Sequence, residues 1–108
     1  MLAIVFFVVG LSPCAAWAQA YPSKLVRILN AQGPGVLEVV ARAYAQELGK
    51  SWGQTVIVEN RAGAGSILAA EAVAKSSPDG YTVLVTSSAA FTVNPVLSKN
   101  LPYDADRD

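Results

Sequence analysis

Residues 55–86, TVIVENRAGAGSILAAEAVAKSSPDGYTVLVT, constrain the fold more tightly than any other part of this chain. They read as strand, glycine turn, helix, proline–glycine turn and strand. Residues 55–59 are rich in β-branched side chains, as strands are. Residues 66–75 predict a helix with Ser66 as N-cap, and Ala69, Ala70, Ala72 and Ala74 let it approach a sheet closely. Ser77-Pro78-Asp79-Gly80 is a turn. Residues 81–86 form a nearly unbroken apolar run, which predicts a buried parallel strand. A helix start leaves about four backbone N–H groups without partners and is the positive end of the macrodipole. The glycines of Gly63-Ala64-Gly65-Ser66 therefore place an anion-accessible backbone at the start of a helix.

The upstream sequence extends the pattern. Residues 24–30 (KLVRILN) predict a strand, and Gln32-Gly33-Pro34-Gly35 breaks it. Residues 36–52 predict a helix in which Val36, Val39, Val40, Ala43, Tyr44 and Leu48 fall on one face, the expected core face. Glu38, Arg42, Gln46 and Lys50 lie four apart on the other, and Gly53 ends the element. The order β-α-β-α-β predicts an α/β fold with a parallel sheet and right-handed crossovers. Ligands in such folds bind beyond the carboxyl ends of the strands. Loops 30–35, 60–65 and 87–91 lie at that edge. Asn94-Pro95 opens a short helix, and the tail 100–108 ends without a closing element.

Composition removes several classes of function. Eight basic and eight acidic residues give a net charge of zero, so nothing favours nucleic acid or an anionic membrane surface as partner. There is no histidine, and Cys14 is the single cysteine. A His/Cys metal site is excluded, as are serine–histidine and cysteine–histidine nucleophile systems. The first twenty residues, MLAIVFFVVGLSPCAAWAQA, carry no charge. An apolar core at 2–11, a break at Ser12-Pro13 and the small-x-small triplet Ala18-Gln19-Ala20 describe a secretory signal cut after Ala20. The competing reading is a membrane anchor, since residues 1–18 are just long enough to span a bilayer.

Two motifs carry more than one reading. Gly63-Ala64-Gly65 starts like a dinucleotide fingerprint, but the position of its third glycine is Leu68, and no phosphate loop of the GxxxxGK[ST] type exists. The glycines then serve either an anion or simply the turn. Ser87-Ser88, without a histidine to act as base, either bonds a ligand carboxylate or caps a turn. Glu59 and Arg61 read as a solvated ion pair, and Trp52 and Tyr44 as packing residues.

The segments YPSK-x-VRI, VIVENRAGAGSILAAEAVAKSSPDGYTVLV and SS…NP…KNLPYD resemble the tripartite tricarboxylate transporter substrate-binding proteins, periplasmic solute receptors also called the Bug family. The resemblance covers nearly all of residues 21–105. It implies part of lobe 1 of a two-lobed, periplasmic binding protein type II-like fold, with residues 21–108 an incomplete N-terminal lobe. It further implies a periplasmic location, a small carboxylate ligand, a membrane permease of the tripartite tricarboxylate transporter type as partner, a monomer, no cofactor and no enzymatic activity. The residues placed to line its half of the cleft are Gln32, Gly33, Gly35, Gly65, Ser66, Ser87, Ser88 and Ala89. Departures from the family pattern are a shorter first loop, Glu38 where an aspartate is usual, Ser66-Ile67 where Gly-Asn is usual, and Ala89-Ala90 after the serines. The rival readings are a small dinucleotide-binding enzyme domain and a truncated, non-binding fragment.

Overall fold

The computed structural model describes residues 19–108, so the apolar leader with Pro13 and Cys14 lies outside the described residues. The hydrophobic pattern of KLVRILN becomes β1 (Val26–Asn30), and its side chains Val26, Ile28, Leu29 and Asn30 are buried. Such complete burial follows from its place at the middle of the sheet. The remaining elements are α1 (Val36–Trp52), β2 (Val56–Asn60), a 3-10 turn (Ala64–Ser66), α2 (Ile67–Ala74), β3 (Thr82–Val85), α3 (Ala89–Thr92) and α4 (Asn94–Leu97). The three strands are parallel in the order β2-β1-β3.

That order sends the first crossover from β1 out to β2 and the second from β2 back past β1 to β3, in the opposite direction. Right-handed connections then place α1 and α2 on opposite faces. The side chains agree. Ile28 packs with Ala41 and Ala45 of α1, flanked by Val56, Val58 and Val85. Leu29 points the other way, in register with Leu84, which shares an apolar cavity with Ala70, Val73, Phe91 and Tyr103. Each helix covers only two strands, so Val83 and Ile57 are left about two-fifths exposed on the uncovered parts of the two faces.

Three expectations need correction. The Val36–Val39–Val40–Ala43–Tyr44 stripe of α1 faces outward: Val36 is 83% exposed and Tyr44 62%. The sheet receives Ala41 and Ala45 instead, because small side chains let the helix axis come close to β1 and β2. Tyr44 is thus no packing residue, whereas Trp52 packs edge-on against Tyr21 at 5.9 Å. Strand β3 is not fully buried, because β1 takes the central place and β3 lies at the edge. Ser66 stands at the N-cap position of α2 but does not cap it with its side chain: it has φ 76°, its hydroxyl makes no cap hydrogen bond, and it is buried.

The tail is better anchored than its polar composition suggests. Tyr103 is buried, and its hydroxyl donates to the carbonyl of Ala90 at 2.6 Å.

Candidate functional site

The three predicted loops meet around the carboxyl end of β1. Backbone bonds tie them there: Arg61 N–H donates to Asn30 O at 2.8 Å, and Ala31 N–H donates to Val85 O at 3.0 Å. After β1 the chain leaves toward the α1 face. After β3 it leaves toward α3, on the α2 face. Adjacent strands whose connections diverge in this way open a crevice between them, the usual ligand position in doubly wound folds.

Asn30 organises the loops at this edge. Its side chain is fully buried. Nδ2 donates to Gly33 O at 2.8 Å and to Asn60 Oδ1 at 2.9 Å, while Oδ1 accepts from Gln32 N–H at 3.3 Å. One amide thereby shapes loop 30–35 and fastens it to the start of loop 60–65. The two loops also touch at Gly33, where φ is 71° and an added Cβ would come within 3.0 Å of Ala62 Cβ. A side chain there would be both strained and crowded.

Glu38, in the first turn of α1, extends the same network. Arg42 Nη2 and Nε donate to its Oε1 at 2.6 and 2.9 Å. These bonds and the nearby Asn60 amide hold the Glu38 carboxyl below its ordinary value. Its charge is matched locally by Arg42 instead of confronting the crevice alone. The expected Glu59–Arg61 pair is present and gains Arg27; the two guanidinium groups, Arg27 foremost, lower the Glu59 carboxyl. All three are half-exposed.

Free donors collect at the mouth. Among the described residues, the N–H groups of Val36, Leu37 and Glu38 have no hydrogen-bond acceptor; the first bond of the α1 ladder is Val39 N–H to Gly35 O at 3.2 Å. In loop 60–65 the N–H groups of Gly63, Ala64 and Gly65 are likewise unbonded. The turn that follows is left-handed through three successive residues, with φ of 49° at Ala64, 62° at Gly65 and 76° at Ser66. Only glycine adopts that region freely, so Ala64 and Ser66 cost about 1–2 kcal/mol each.

All eight predicted site residues lie on or next to these three loops, with different exposures. Gln32, Gly35, Gly65 and Ser88 are open to solvent, Ser87 and Ala89 are half-buried, and Gly33 and Ser66 lie beneath the loop surfaces. The serine loop is shaped by Ser88 O, which accepts from Phe91 N–H at 3.0 Å and from Thr92 Oγ1 at 2.9 Å. Beside it the buried Thr86 Oγ1 has no partner among the described residues. Sequence reasoning missed Asn30, Asn60 and Asn94. The one available signal was an amide side chain at the last position of both β1 and β2.

Residues 40–108 match the family described as the tripartite tricarboxylate transporter family receptor. A UPF0065 protein of Bordetella bronchiseptica is 46% identical over 100 residues, covering 92% of this chain and 30% of its own length. A Rhodopseudomonas palustris protein solved with adipate superposes with a TM-score of 0.75 at 28% identity, over 82% of this chain and 30% of that one. The protein MatC of the same organism, solved with bound malate, superposes with a TM-score of 0.72 at 33% identity, over 80% and 30%. The chain thus spans about a third of the length of the relatives it matches.

Proposed function

The chain belongs to the tripartite tricarboxylate transporter receptor family, and from this we propose that residues 21–108 supply one wall of the ligand cleft of a periplasmic receptor for small carboxylates. The observation that carries this reading is the convergence of unbonded N–H groups from two loops at the carboxyl edge of a family scaffold. Two solved structures similar to that scaffold hold dicarboxylates, adipate in one and malate in the other. Backbone N–H groups at a helix start suit an anion, because they combine free donors with the positive end of the dipole.

In this reading Gly35 and Gly65 keep the loops open to a carboxylate. Ser87 and Ser88 add hydroxyl donors, Gln32 and Ala89 line the rim, and Gly33 and Ser66 shape the loops from below. The remaining two-thirds of a full-length receptor would form the opposite wall. The apolar leader, removed after Ala20, would deliver the receptor to the periplasm, where it would act as a monomer handing its ligand to a membrane permease. The receptor holds its ligand without transforming it.

Calorimetry on a chimera tests this, with the present chain replacing the matching segment of the Bordetella bronchiseptica relative. A hydrogen bond to a charged group contributes about 1.5–3 kcal/mol. Ser87→Ala or Ser88→Ala should weaken adipate or malate binding by that order. Gly65→Val should weaken it by obstructing approach to the backbone. Unchanged affinity in all three variants would place the ligand elsewhere, and tight binding of NAD in place of the dicarboxylates would favour the dinucleotide reading.

A further inference from the structure

We propose that Asn94 is a positioning residue for the carboxylate site: its amide holds the left-handed turn Ala64–Ser66 in the shape that leaves the Gly63, Ala64 and Gly65 N–H groups unbonded. This inference rests on the reading above. The turn runs against the preference of two L-residues, so something outside it must keep it in place. Its local bonds, Ser66 N–H to Gly63 O and Ile67 N–H to Ala64 O, close the turn but do not tie it to the rest of the molecule. Asn94, twenty-nine residues further along, supplies that tie: Nδ2 donates to Gly65 O at 2.8 Å.

Asn94 is itself fixed from behind. Its Nδ2 also reaches the Tyr103 hydroxyl at 3.3 Å, and that hydroxyl donates to Ala90 O at 2.6 Å. Tyr103 is buried, so the relay has a rigid base. The amide suits the position because its NH2 group has two hydrogens, one for Gly65 and one for Tyr103. The relay Gly65–Asn94–Tyr103–Ala90 therefore joins loop 60–65 to the helix that follows the serine loop. Two walls of the crevice are set by one side chain that needs no contact with the ligand.

The test uses the full chain, with malate as the probe. In Asn94→Leu, which keeps the volume and removes the donor, the backbone chemical shifts of Ala64, Gly65 and Ser66 should leave their left-handed values. Malate affinity should fall about fivefold, the equivalent of one net hydrogen bond. The shifts of β1 should stay where they are, which separates loss of the tie from loss of the fold. Asn94→Ala gives the same readout should the leucine variant not fold. A folded variant of either kind whose turn shifts and malate affinity match those of the unaltered chain overturns the proposal. Absence of any malate response in the unaltered chain overturns the carboxylate role, while the turn shifts still report separately on the Asn94 tie.

Discussion

The side-chain amide of Asn30 donates to the side-chain carbonyl of Asn60 at 2.9 Å, joining the last residues of two adjacent parallel strands just where their loops begin. The residues are in register, so the pair works as one more rung of the ladder, built from side chains. Since Asn30 is fully buried, deleting its amide leaves Gly33 O and Asn60 Oδ1 short of a donor. Asn30→Ala should cost about 1–3 kcal/mol in denaturant unfolding. Asn30→Asp should be the more damaging above neutral pH, because it sets a buried carboxylate against two acceptors. An unfolding midpoint unchanged in both variants would mean that the amide is not the clasp.

The orientation of α1 gives a second prediction. Ala41 is fully buried against the sheet, whereas Val36 is 83% exposed. Ala41→Leu should destabilise by about 1–3 kcal/mol through overpacking. Val36→Ser should fall within about 0.5 kcal/mol of the unaltered chain. Were the Val–Tyr stripe the packed face, the ranking would reverse.

Acid sensitivity follows from Glu38 and Glu59. Both carboxyls are held below the ordinary value of 4.5, the first chiefly by Arg42 and the second by Arg27 and Arg61. A depressed folded-state pKa means that the native state holds the ionised form more firmly than the unfolded chain does. The resulting stability is present above pH 4.5 and is lost as pH falls through the lower folded values. The double variant Glu38→Gln, Glu59→Gln should therefore show a shallower decline of unfolding midpoint below pH 4.5. Both groups are close to solvent, so the effect should shrink with added salt. An equally steep decline in the variant would assign the acid transition to other groups.

Local chemistry made much of this fold legible. Gly35 and Gly53 bracket α1, and the helix occupies the predicted span, Val36–Trp52. The three strands and the three loops also fall where the β-branched runs and the glycine breaks put them. The face of α1 was not legible, because the helix carries two apolar stripes and hydrophobicity alone favours the bulkier one. Close approach to a sheet favours the smaller, Ala41 and Ala45. The exposure of β3 depends on β1 standing at the centre, a property of strand order that no local run of residues encodes. Asn30, Asn60 and Asn94 work through partners three, thirty or twenty-nine positions away, so their roles appear only once the loops are brought together.

Cleavage after Ala20 carries a direct prediction. Tyr21 already has a place in the fold: its hydroxyl donates to Gly80 O at 2.6 Å, and its ring lies 5.1 Å from that of Tyr81. Cleavage after Ala20 would leave this residue at the terminus with its contacts intact. Mass spectrometry of the exported protein should find Tyr21 as the first residue. A species retaining residues 2–20 would favour the anchor.

The direct test of the cleft wall is a malate titration of the chain followed through its backbone amide resonances. A single wall buries only part of a ligand, so binding should be weak, with a Kd of roughly millimolar order or above. The amides that move should be those of residues 35–38, 63–65 and 87–89. Malate that leaves these three loops undisturbed while shifting resonances elsewhere would contradict the proposed site, and micromolar affinity would contradict the one-walled cleft.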